Sequence, residues 1–430
     1  MPIRSAARRL LAATILSLLP AAPVAAQFYI HSDERRDRLQ KLIEQYQPLD
    51  SRDADDQLNA FTLLSDLAIS VTAEMERERI GWPQNETDPL CALTDGDDPT
   101  PSRLRRAERM LRLLKDRNHF ARLNHLAQVP RAVRPVVTRE REAELRANYR
   151  THDFIRCRPL ILAAEAQMVC ASTTAAYRGV LAIGRIFAHQ LTTLDAVLGY
   201  SFVQSANKQL RGLIIEGILT EPALLEYAAA IDEQTGGLPP LNATVQAERI
   251  TAWESFGKLD ENGKPTLSQE DSALLDRILD AYAVIAAFPV PERRTAAAAI
   301  AAQTSLDAIP RKPDFQFSAA SAADIADSAL RVEAAMLTDI AATRIMIALE
   351  RCKLREGAYP EALALLVPNY LDSLVPARGE SYPLIYQRKG NAYRLYTPGY
   401  DLTDNGAMPH PDQPDIAFRD VGAGFDFVYR

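Results

Sequence analysis

The fold of this chain is decided by residues 341–415, which read AATRIMIALERCKLREGAYPEALALLVPNYLDSLVPARGESYPLIYQRKGNAYRLYTPGYDLTDNGAMPHPDQPD. Ile345 and Leu349 recur at helical spacing. This spacing predicts an amphipathic helix that ends at Gly357, because glycine accepts the backbone conformation that follows a helix. A second short helix is expected to start at Pro360, because proline suits the first helical turn.

After these helices the apolar residues alternate, which is typical of strands. The segments Pro383–Gln387 and Ala392–Thr397 are predicted to form a hairpin around the turn Arg388–Asn391, in which Gly390 can take a positive φ. An acidic, glycine-containing loop, Gly399–Asp415, follows the second strand. The period change from about 3.6 to about 2 therefore predicts a small α+β unit at the C-terminal end.

This layout resembles the soluble domain of the major pseudopilin of type II secretion systems, and a similar C-terminal domain of exported bacterial proteins. The matching residues are Glu356–Pro360 (EGAYP), Leu365–Leu374 followed by Pro376, Tyr386, and Leu395–Asp401 (LYTPGYD). The resemblance implies a pseudopilin-like α+β fold for the unit and an association with secretion or the cell envelope. True pseudopilins begin with a long apolar helix that packs into a fibre, whereas this chain has a large helical region before its unit, so we do not expect it to polymerise as a pilus subunit.

The acidic loop also matches a calcium-loop template. Asp401, Thr403 and Asn405 supply side-chain oxygens at positions 1, 3 and 5, Gly406 occupies position 6, and Asp412 falls at position 12. Calcium takes six to eight oxygen ligands, and this loop offers carboxylates, an amide and a hydroxyl. The sequence therefore predicts a calcium site.

The resemblance leads to the same loop, because the pseudopilin domain binds calcium after its corresponding strand. By position, Asp401 matches the first acidic residue of the family, and Asp412 and Asp415 match its later acidic pair. A surface loop whose acids only cap turns remains the alternative. The complete set of expected calcium ligands is Asp401, Thr403, Asp404, Asn405, Asp412 and Asp415.

The N-terminal residues 1–26 have the pattern of an export signal. Arginines come first, then the apolar run Leu10–Leu19, and then the small residues Val24–Ala26. An apolar run of this length is too short to span a bilayer. We expect cleavage before Gln27 and a periplasmic or secreted protein without a membrane span, although a retained N-terminal anchor stays open.

Removal of three arginines with this segment would lower the net charge from −7 to −10. The 47% content of hydrophobic residues allows a substantial core. We predict a helical domain over residues 27–307, a linker over 308–321 that is rich in proline, serine and alanine, and the pseudopilin-like domain over 322–430.

The fold class is expected to be mainly α, with an irregular array of helical hairpins before the small α+β domain. Helical periodicity dominates the region between residues 33 and 303, and short loops favour antiparallel neighbours. The predicted helices are Asp33–Gln47, Ala54–Arg79, Ser102–Asn118, Arg139–Arg150, Pro159–Gln190, Thr193–Gly217, Glu221–Gln234, Ala243–Phe256, Gln269–Phe288 and Glu292–Gln303.

The four cysteines matter because an exported protein meets an oxidising environment. Cys170 lies in the helix predicted to start at Pro159, which places Cys157 about 16 Å away along the helix axis, too far for a disulfide. Cys91 lies in a loop that can reach Cys157, and this pairing is favoured. Four buried thiols remain the alternative.

The segment from Arg103 to Arg158 holds sixteen Lys or Arg against six Asp or Glu, within an otherwise acidic protein. Such a segment could bind an anionic surface, for example lipid head groups. Solvated helix faces paired with acidic helices of the same chain are the alternative. Aromatic residues that could stack on bases are scarce there, so nucleic acid is not an expected partner.

Motifs for zinc hydrolases, serine nucleophiles and phosphate-binding loops are missing from the sequence. Glu165 and Glu216 lie in apolar helical segments. A glutamate in such a segment can act as an acid or base in catalysis, or it can simply be buried with a hydrogen-bond partner. Two functions stay open. The first is an exported non-enzymatic binding or structural protein with an envelope or secretion-system partner, and the second is an exported hydrolase whose site lies in the helical domain.

Overall fold

A computed structural model provides the structure of the chain. It describes residues 59–77, 108, 111–112, 118–129, 157, 160–161, 163–168, 170, 174–190, 193–236, 238–239, 241–256, 269–304, 319–374, 381–398, 403–408 and 427–429.

The described part of the chain is mostly helical and ends in a small antiparallel sheet. Its helices are α1 (Ala60–Arg77), α2 (Asn118–Leu126), α3 (Thr174–Ala188), α4 (Thr193–Ile215), α5 (Glu221–Thr235), α6 (Leu241–Phe256), α7 (Gln269–Ala286), α8 (Val290–Thr304) and α9 (Ala319–Glu356). The strands are β1 (Ile385–Lys389), β2 (Ala392–Thr397) and β3 (Phe427–Val428).

The predicted fold class, mainly α, is confirmed, and the bounds predicted for α4 to α8 agree with the structure to within a few residues. The predicted helices Asp33–Gln47 and Arg139–Arg150 lie outside the described residues. The described positions between 160 and 170 are helical, as predicted for the segment after Pro159, and Cys157, before the predicted start, is helical as well.

Helices α3 and α4 cross in direct backbone contact. A Cβ atom added to Gly199 would lie 2.4 Å from the carbonyl oxygen of Gly184 and 2.7 Å from the backbone nitrogen of Ala188. These distances are shorter than any van der Waals contact, so only glycine fits. The close approach buries the apolar faces of both helices, including Tyr177 and Tyr200.

Helix α9 is the central element of the fold. Its 38 residues give a length of about 57 Å, and it packs along α4 and also contacts α5, α6 and α7. It ends before Gly357, whose φ of +77° reverses the chain direction. One continuous core includes residues from α1 to α9 and from the hairpin. Because α9 begins at Ala319, residues 319–321 of the expected linker are helical. The division into two domains stays a prediction.

The predicted hairpin forms with a slightly different turn. Strands β1 and β2 pair in the register Ile385↔Tyr396 to Lys389↔Ala392, so the turn is the two-residue loop of Gly390 and Asn391 rather than four residues. Gly390 has a φ of +61°, as two-residue hairpin turns require.

The short helix expected to start at Pro360 is wrong in type and in start. The structure has a bend there, followed by a 3₁₀ turn over Leu363–Leu366. Four residues are too few to complete an α-helix, and the chain continues through a cis peptide bond between Val367 and Pro368.

Strand β3 pairs antiparallel with the end of β2, which gives the sheet order β1-β2-β3. Among the described helices, α9 included, none is both long enough and apolar enough to cross a membrane.

Candidate functional site

The acidic loop is described over residues 403–408. Thr403 and Asp404 are exposed, and Asn405 is half-buried. The carboxylate Oδ1 of Asp404 accepts a hydrogen bond from the hydroxyl of Tyr396 at 3.1 Å and from the backbone N–H of Gly406 at 2.8 Å. Strand β2 therefore holds Asp404 in place through Tyr396.

The loop backbone is tightly curved after Asp404. Gly406 and Ala407 have φ values of +72° and +62°, and the side-chain amide of Asn405 donates to the carbonyl oxygen of Thr403 at 3.0 Å. Left-handed conformations of this kind turn a loop within a few residues. The predicted glycine at position 6 of the calcium template thus occupies a conformation that suits glycine.

The side chains of Thr403, Asp404 and Asn405 carry oxygens of the kind that calcium takes as ligands, and the Asp404 carboxylate keeps lone pairs beyond its two hydrogen bonds. The other three expected ligands, Asp401, Asp412 and Asp415, lie outside the described residues. Within the described ranges, no group of three or more His, Cys, Asp or Glu could hold a metal ion. The calcium site stays a prediction.

A second cluster, which the sequence did not predict, lies inside the helical body. We name it the α9 junction, and it consists of Tyr177 on α3, Asn207 and Arg211 on α4, and Asp339 and Thr343 on α9. Arg211 Nη1 lies 2.6 Å from Asp339 Oδ1, and Asn207 Nδ2 donates to Asp339 Oδ2 at 2.8 Å. The Tyr177 hydroxyl donates to Asn207 Oδ1 at 2.6 Å, and Arg211 Nη1 also donates to Thr343 Oγ1 at 2.9 Å.

The α9 junction is closed to solvent. Tyr177 and Asn207 are fully buried, and Asp339 is 4% exposed. Burial raises the pKa of the Asp339 carboxyl above its usual value, although the neighbouring Arg211 and Asn207 both lower it. Burial, and then the charge of Asp339, raises the pKa of Tyr177 well above its usual value. The cluster joins three helices. The opposite charges of Arg211 and Asp339 compensate each other, and the hydrogen bonds of Tyr177, Asn207 and Thr343 complete the contacts.

The C-terminal unit is attached at the same level of α9. The backbone N–H of Tyr382 donates to the hydroxyl of Thr338 at 3.1 Å. The guanidinium of Arg211 lies over the ring of Tyr429, 5.2 Å from its centroid. The residues after α9 therefore fold back onto the middle of this helix.

The EGAYP motif builds a third cluster at the end of α9. The Tyr359 hydroxyl donates to Glu350 Oε1 at 2.6 Å and accepts from Lys353 Nζ at 3.2 Å. The rings of Tyr359 and Tyr393 pack edge to face with centroids 4.7 Å apart, and the Tyr386 hydroxyl donates to the carbonyl oxygen of Pro360 at 2.7 Å. The motif that carries the resemblance thus fixes the hairpin to α9.

The two glutamates singled out in the sequence have different surroundings. Glu165 is fully buried and accepts a hydrogen bond from Ser205 Oγ at 2.5 Å. Glu216 is half-buried in the turn after α4. Among the histidines, His119 on α2 is buried with its Nε2 2.5 Å from Oε2 of Glu74 on α1. The structure does not bring these side chains together into one site.

The cysteines and the basic segment are only partly described. Cys157, Cys170 and Cys352 form no disulfide with one another, as the helical spacing of the first two predicted. Cys157 and Cys352 are buried, and Cys91 lies outside the described residues, so its pairing with Cys157 stays a prediction. Most of the segment from Arg103 to Arg158 also lies outside the described residues.

Sequence reasoning missed the α9 junction because its members come from distant parts of the chain. Asn207 and Asp339 are 132 residues apart. The signal that could have found them is local to each helix, since Asn207 and Arg211, like Asp339 and Thr343, are polar residues four apart on otherwise apolar faces. Such pairs predict a buried polar contact without naming its partner.

Comparison with protein-family models, with curated proteins and with solved structures found no match to this chain.

Proposed function

We propose that this chain is an exported, non-enzymatic binding or structural protein of the cell envelope, and that calcium stabilises its pseudopilin-like C-terminal unit. The observation that carries the proposal is the architecture around α9. One continuous helix belongs to the core of the helical body and also supports the hairpin through Tyr359 and Tyr382. Such an arrangement suits a rigid support that presents a small unit to a partner.

The surroundings of the buried ion pair between Arg211 and Asp339 support a non-enzymatic role. The Arg211–Asp339 pair is enclosed by protein, and its hydrogen bonds go to Asn207 and Thr343. Catalytic acids and bases must reach the proton that they transfer. A charge pair that is buried and satisfied by its neighbours instead specifies how helices pack.

The surface of the C-terminal unit supports partner binding. Leu354 near the end of α9 is 55% exposed, Leu365 in the 3₁₀ turn is 60% exposed, and Met408 after the acidic loop is 54% exposed. Exposed apolar side chains mark a protein interface where they form a contiguous patch, so the proposal requires that these three contribute to one contact surface. The proposed partner is an envelope or secretion-system protein.

The role of calcium is supported by the oxygen-rich loop and by the way β2 positions it. Asp404 is held by Tyr396, so cation binding at the loop would act directly on the sheet. When bound, calcium would neutralise carboxylates that otherwise repel one another. The loop has irregular spacing, which suits the flexible coordination of calcium better than the octahedral coordination of magnesium.

Titration calorimetry of the full chain from Gln27 with calcium tests this proposal. We expect saturable binding of calcium, weak or no binding of magnesium, and loss of calcium binding in the Asp401→Ala variant. The matched control is Asp232→Ala, which removes an acid of the helical body that pairs with Arg344. Equal calcium binding by wild type and Asp401→Ala would remove the acidic loop from the proposal.

A further inference from the structure

Strand β1 forms one edge of the small sheet. The strand order is β1-β2-β3, and within the described part of the chain β1 pairs only with β2. An edge strand has backbone N–H and C=O groups along one side that its own sheet does not use. A further strand can add to such an edge when these groups are open and the edge is not guarded.

The register of the hairpin decides which backbone groups of β1 point outward. In an antiparallel pair, residues opposite each other alternate between pairs that exchange hydrogen bonds and pairs that do not. Lys389 and Ala392 close the two-residue loop and belong to the first kind, so Tyr386 and Arg388 belong to the second kind. The N–H and C=O groups of Tyr386 and Arg388 therefore point away from β2.

A hydrogen bond on the other side of β2 agrees with this alternation. The backbone N–H of Tyr429 donates to the carbonyl oxygen of Leu395 at 2.9 Å, so Leu395, which lies opposite Tyr386, directs its carbonyl away from β1. No hydrogen bond between described residues reaches the outward backbone groups of Tyr386 and Arg388. The residues of β1 are half-buried or exposed, so the core does not enclose this edge.

The side chains of β1 guard only one end of the edge. Natural edge strands avoid unwanted pairing through proline, bulges or charged side chains. The pairing with β2 runs without a bulge from Ile385 to Lys389, and the first three residues of β1 are neither charged nor proline. The two cations, Arg388 and Lys389, lie at the turn end. The first part of β1 is thus open to pairing, and the turn end selects by charge.

The charge of the hairpin favours an acidic partner strand. Residues 381–398 contain Arg388, Lys389 and Arg394 but no Asp or Glu, in a chain of net charge −7. Among the described residues, only Arg388 of these three forms an ion pair, with the exposed Glu361. A second copy of β1 would bring another cationic hairpin against the first, so charge disfavours pairing between two copies and favours a strand that carries carboxylates.

We propose that β1 is a docking edge for an extended, acidic segment of a partner protein, which adds to the sheet as a fourth strand through the outward backbone groups of Tyr386 and Arg388. Main-chain hydrogen bonds supply the binding. Lys389 and Arg394 supply the selectivity, since Arg394 lies opposite Gln387 and therefore shares a face of the sheet with Lys389. This inference rests on the partner binding of the proposed function and names the chemistry of that partner.

Hydrogen exchange resolved to single amides tests the geometry in the full wild-type chain. Two probe peptides of about eight residues are compared, an acidic peptide of alternating threonine and glutamate and a basic peptide of alternating threonine and lysine. The amides of Tyr386 and Arg388 should exchange fast in the free chain and at least about tenfold more slowly with saturating acidic peptide. The amides of Gln387 and Lys389 should be protected with and without it.

Two outcomes of this exchange experiment would overturn the proposal. One is protection of Tyr386 and Arg388 in the free chain, which would mean that the edge is already covered. The other is a failure of the acidic peptide to slow these two amides selectively, or equal slowing by the basic peptide.

Affinity for the labelled acidic peptide, measured by fluorescence anisotropy, tests the backbone contact separately. Arg388→Pro removes one outward N–H but no hydrogen bond to β2, because edge strands tolerate proline where the N–H faces away from the sheet. It should bind about tenfold more weakly than Arg388→Ala, the matched control, which loses the same guanidinium but keeps the N–H. Equal affinities of the two folded variants would contradict strand addition.

A charge reversal tests the selectivity. Lys389→Glu should weaken binding of the acidic peptide and strengthen binding of the basic peptide, whereas Arg294→Glu, the same change of charge at an exposed position of α8, should alter neither. Should Arg388→Pro fail to fold, this reversal and the exchange pattern of the wild type decide the question. An unchanged preference in Lys389→Glu would contradict the acidic partner.

Sedimentation velocity of the free chain tests the second copy as occupant. The chain is expected to be free of dimers held by β1, and a dimer that Arg388→Pro dissociates would assign the edge to a second copy and overturn the acidic partner. Calcium titration of the same samples reports on the proposed function independently. Loss of peptide binding with calcium binding intact would therefore remove the docking edge alone.

Discussion

The α9 junction and the acidic loop both contain several polar side chains, but the carboxylate is buried and ion-paired in the junction and exposed in the loop. In the junction, Asp339 is buried, and Arg211 and Asn207 from another helix neutralise and bind it. In the loop, Asp404 is exposed, and its described partners lie on neighbouring residues of the same unit. The junction needs no additional ion, whereas the loop offers oxygens to one. Removing an acid should therefore have different consequences in the two regions.

The largest expected effect comes from breaking the buried pair. Asp339→Ala leaves the charge of Arg211 buried without a counter-charge, which should cost about 3–5 kcal/mol of unfolding free energy. Asp404→Ala, its control in the loop, loses hydrogen bonds near the surface and should cost less than about 1 kcal/mol without calcium. Chemical denaturation of both variants measures the difference. Equal losses of unfolding free energy in Asp339→Ala and Asp404→Ala would show that burial does not make the junction more sensitive than the loop to the loss of an acid.

A second comparison, between the helical body and the C-terminal unit, concerns Gly199 at the α3–α4 crossing and Gly390 in the hairpin turn. At Gly199 a methyl group would meet the backbone of Gly184 and Ala188, which cannot move away without separating α3 from α4. Gly199→Ala should cost about 1–3 kcal/mol or more. At Gly390 a methyl group meets no atom within 4 Å, so Gly390→Ala should cost only about 1 kcal/mol, from its φ of +61°.

Thermal unfolding of these two alanine variants gives the comparison directly. A smaller loss at Gly199 than at Gly390 would mean that the α3–α4 crossing is looser than its geometry indicates.

The difference in pH dependence of stability between wild type and Asp339→Asn should report the junction, whereas Asp232 and Asp327, whose pKa values burial also raises, contribute equally to both proteins. Because burial raises the pKa of Asp339 above its usual 3.8, the folded chain holds this proton more tightly than the unfolded chain. Wild type should therefore gain stability relative to Asp339→Asn as the pH falls through the raised pKa, and the gain should be complete below about pH 3.8. Each pH unit between the folded and unfolded pKa values contributes about 1.4 kcal/mol. Denaturation curves at several pH values measure this gain, and parallel curves for the two proteins would contradict it.

The sequence predicted what depends on neighbouring residues. The bounds of α4 to α8, the end of α9 at Gly357 and the hairpin around Gly390 all follow from spacing and from glycine chemistry within a few residues. Helix α2 was not predicted, since the helix expected over Ser102–Asn118 ends where α2 begins. The resemblance located the EGAYP motif, and the structure then gave Tyr359 its partners Glu350 and Tyr393.

The remainder depends on contacts that sequence spacing does not encode. Asp339 meets Arg211 because α4 and α9 pack side by side, and Tyr429 reaches Arg211 because β3 joins the edge of β2. The start of α9 at Ala319, inside the expected linker, was missed because alanine and serine form no apolar stripe there.

The most direct test of the account is the thermal unfolding of the full chain from Gln27 in calcium and in chelator. A ligand that binds only the folded state increases the free energy of unfolding by about 2.7 kcal/mol at a hundredfold excess over Kd. The melting temperature should therefore rise by a few degrees. Asp339→Ala should have a lower melting temperature than wild type but the same rise on adding calcium, because Asp339 is paired with Arg211 and does not contact the loop. Asp401→Ala should lose the rise on adding calcium. A wild-type melting temperature that is the same in calcium and in chelator would contradict the calcium-stabilised C-terminal unit.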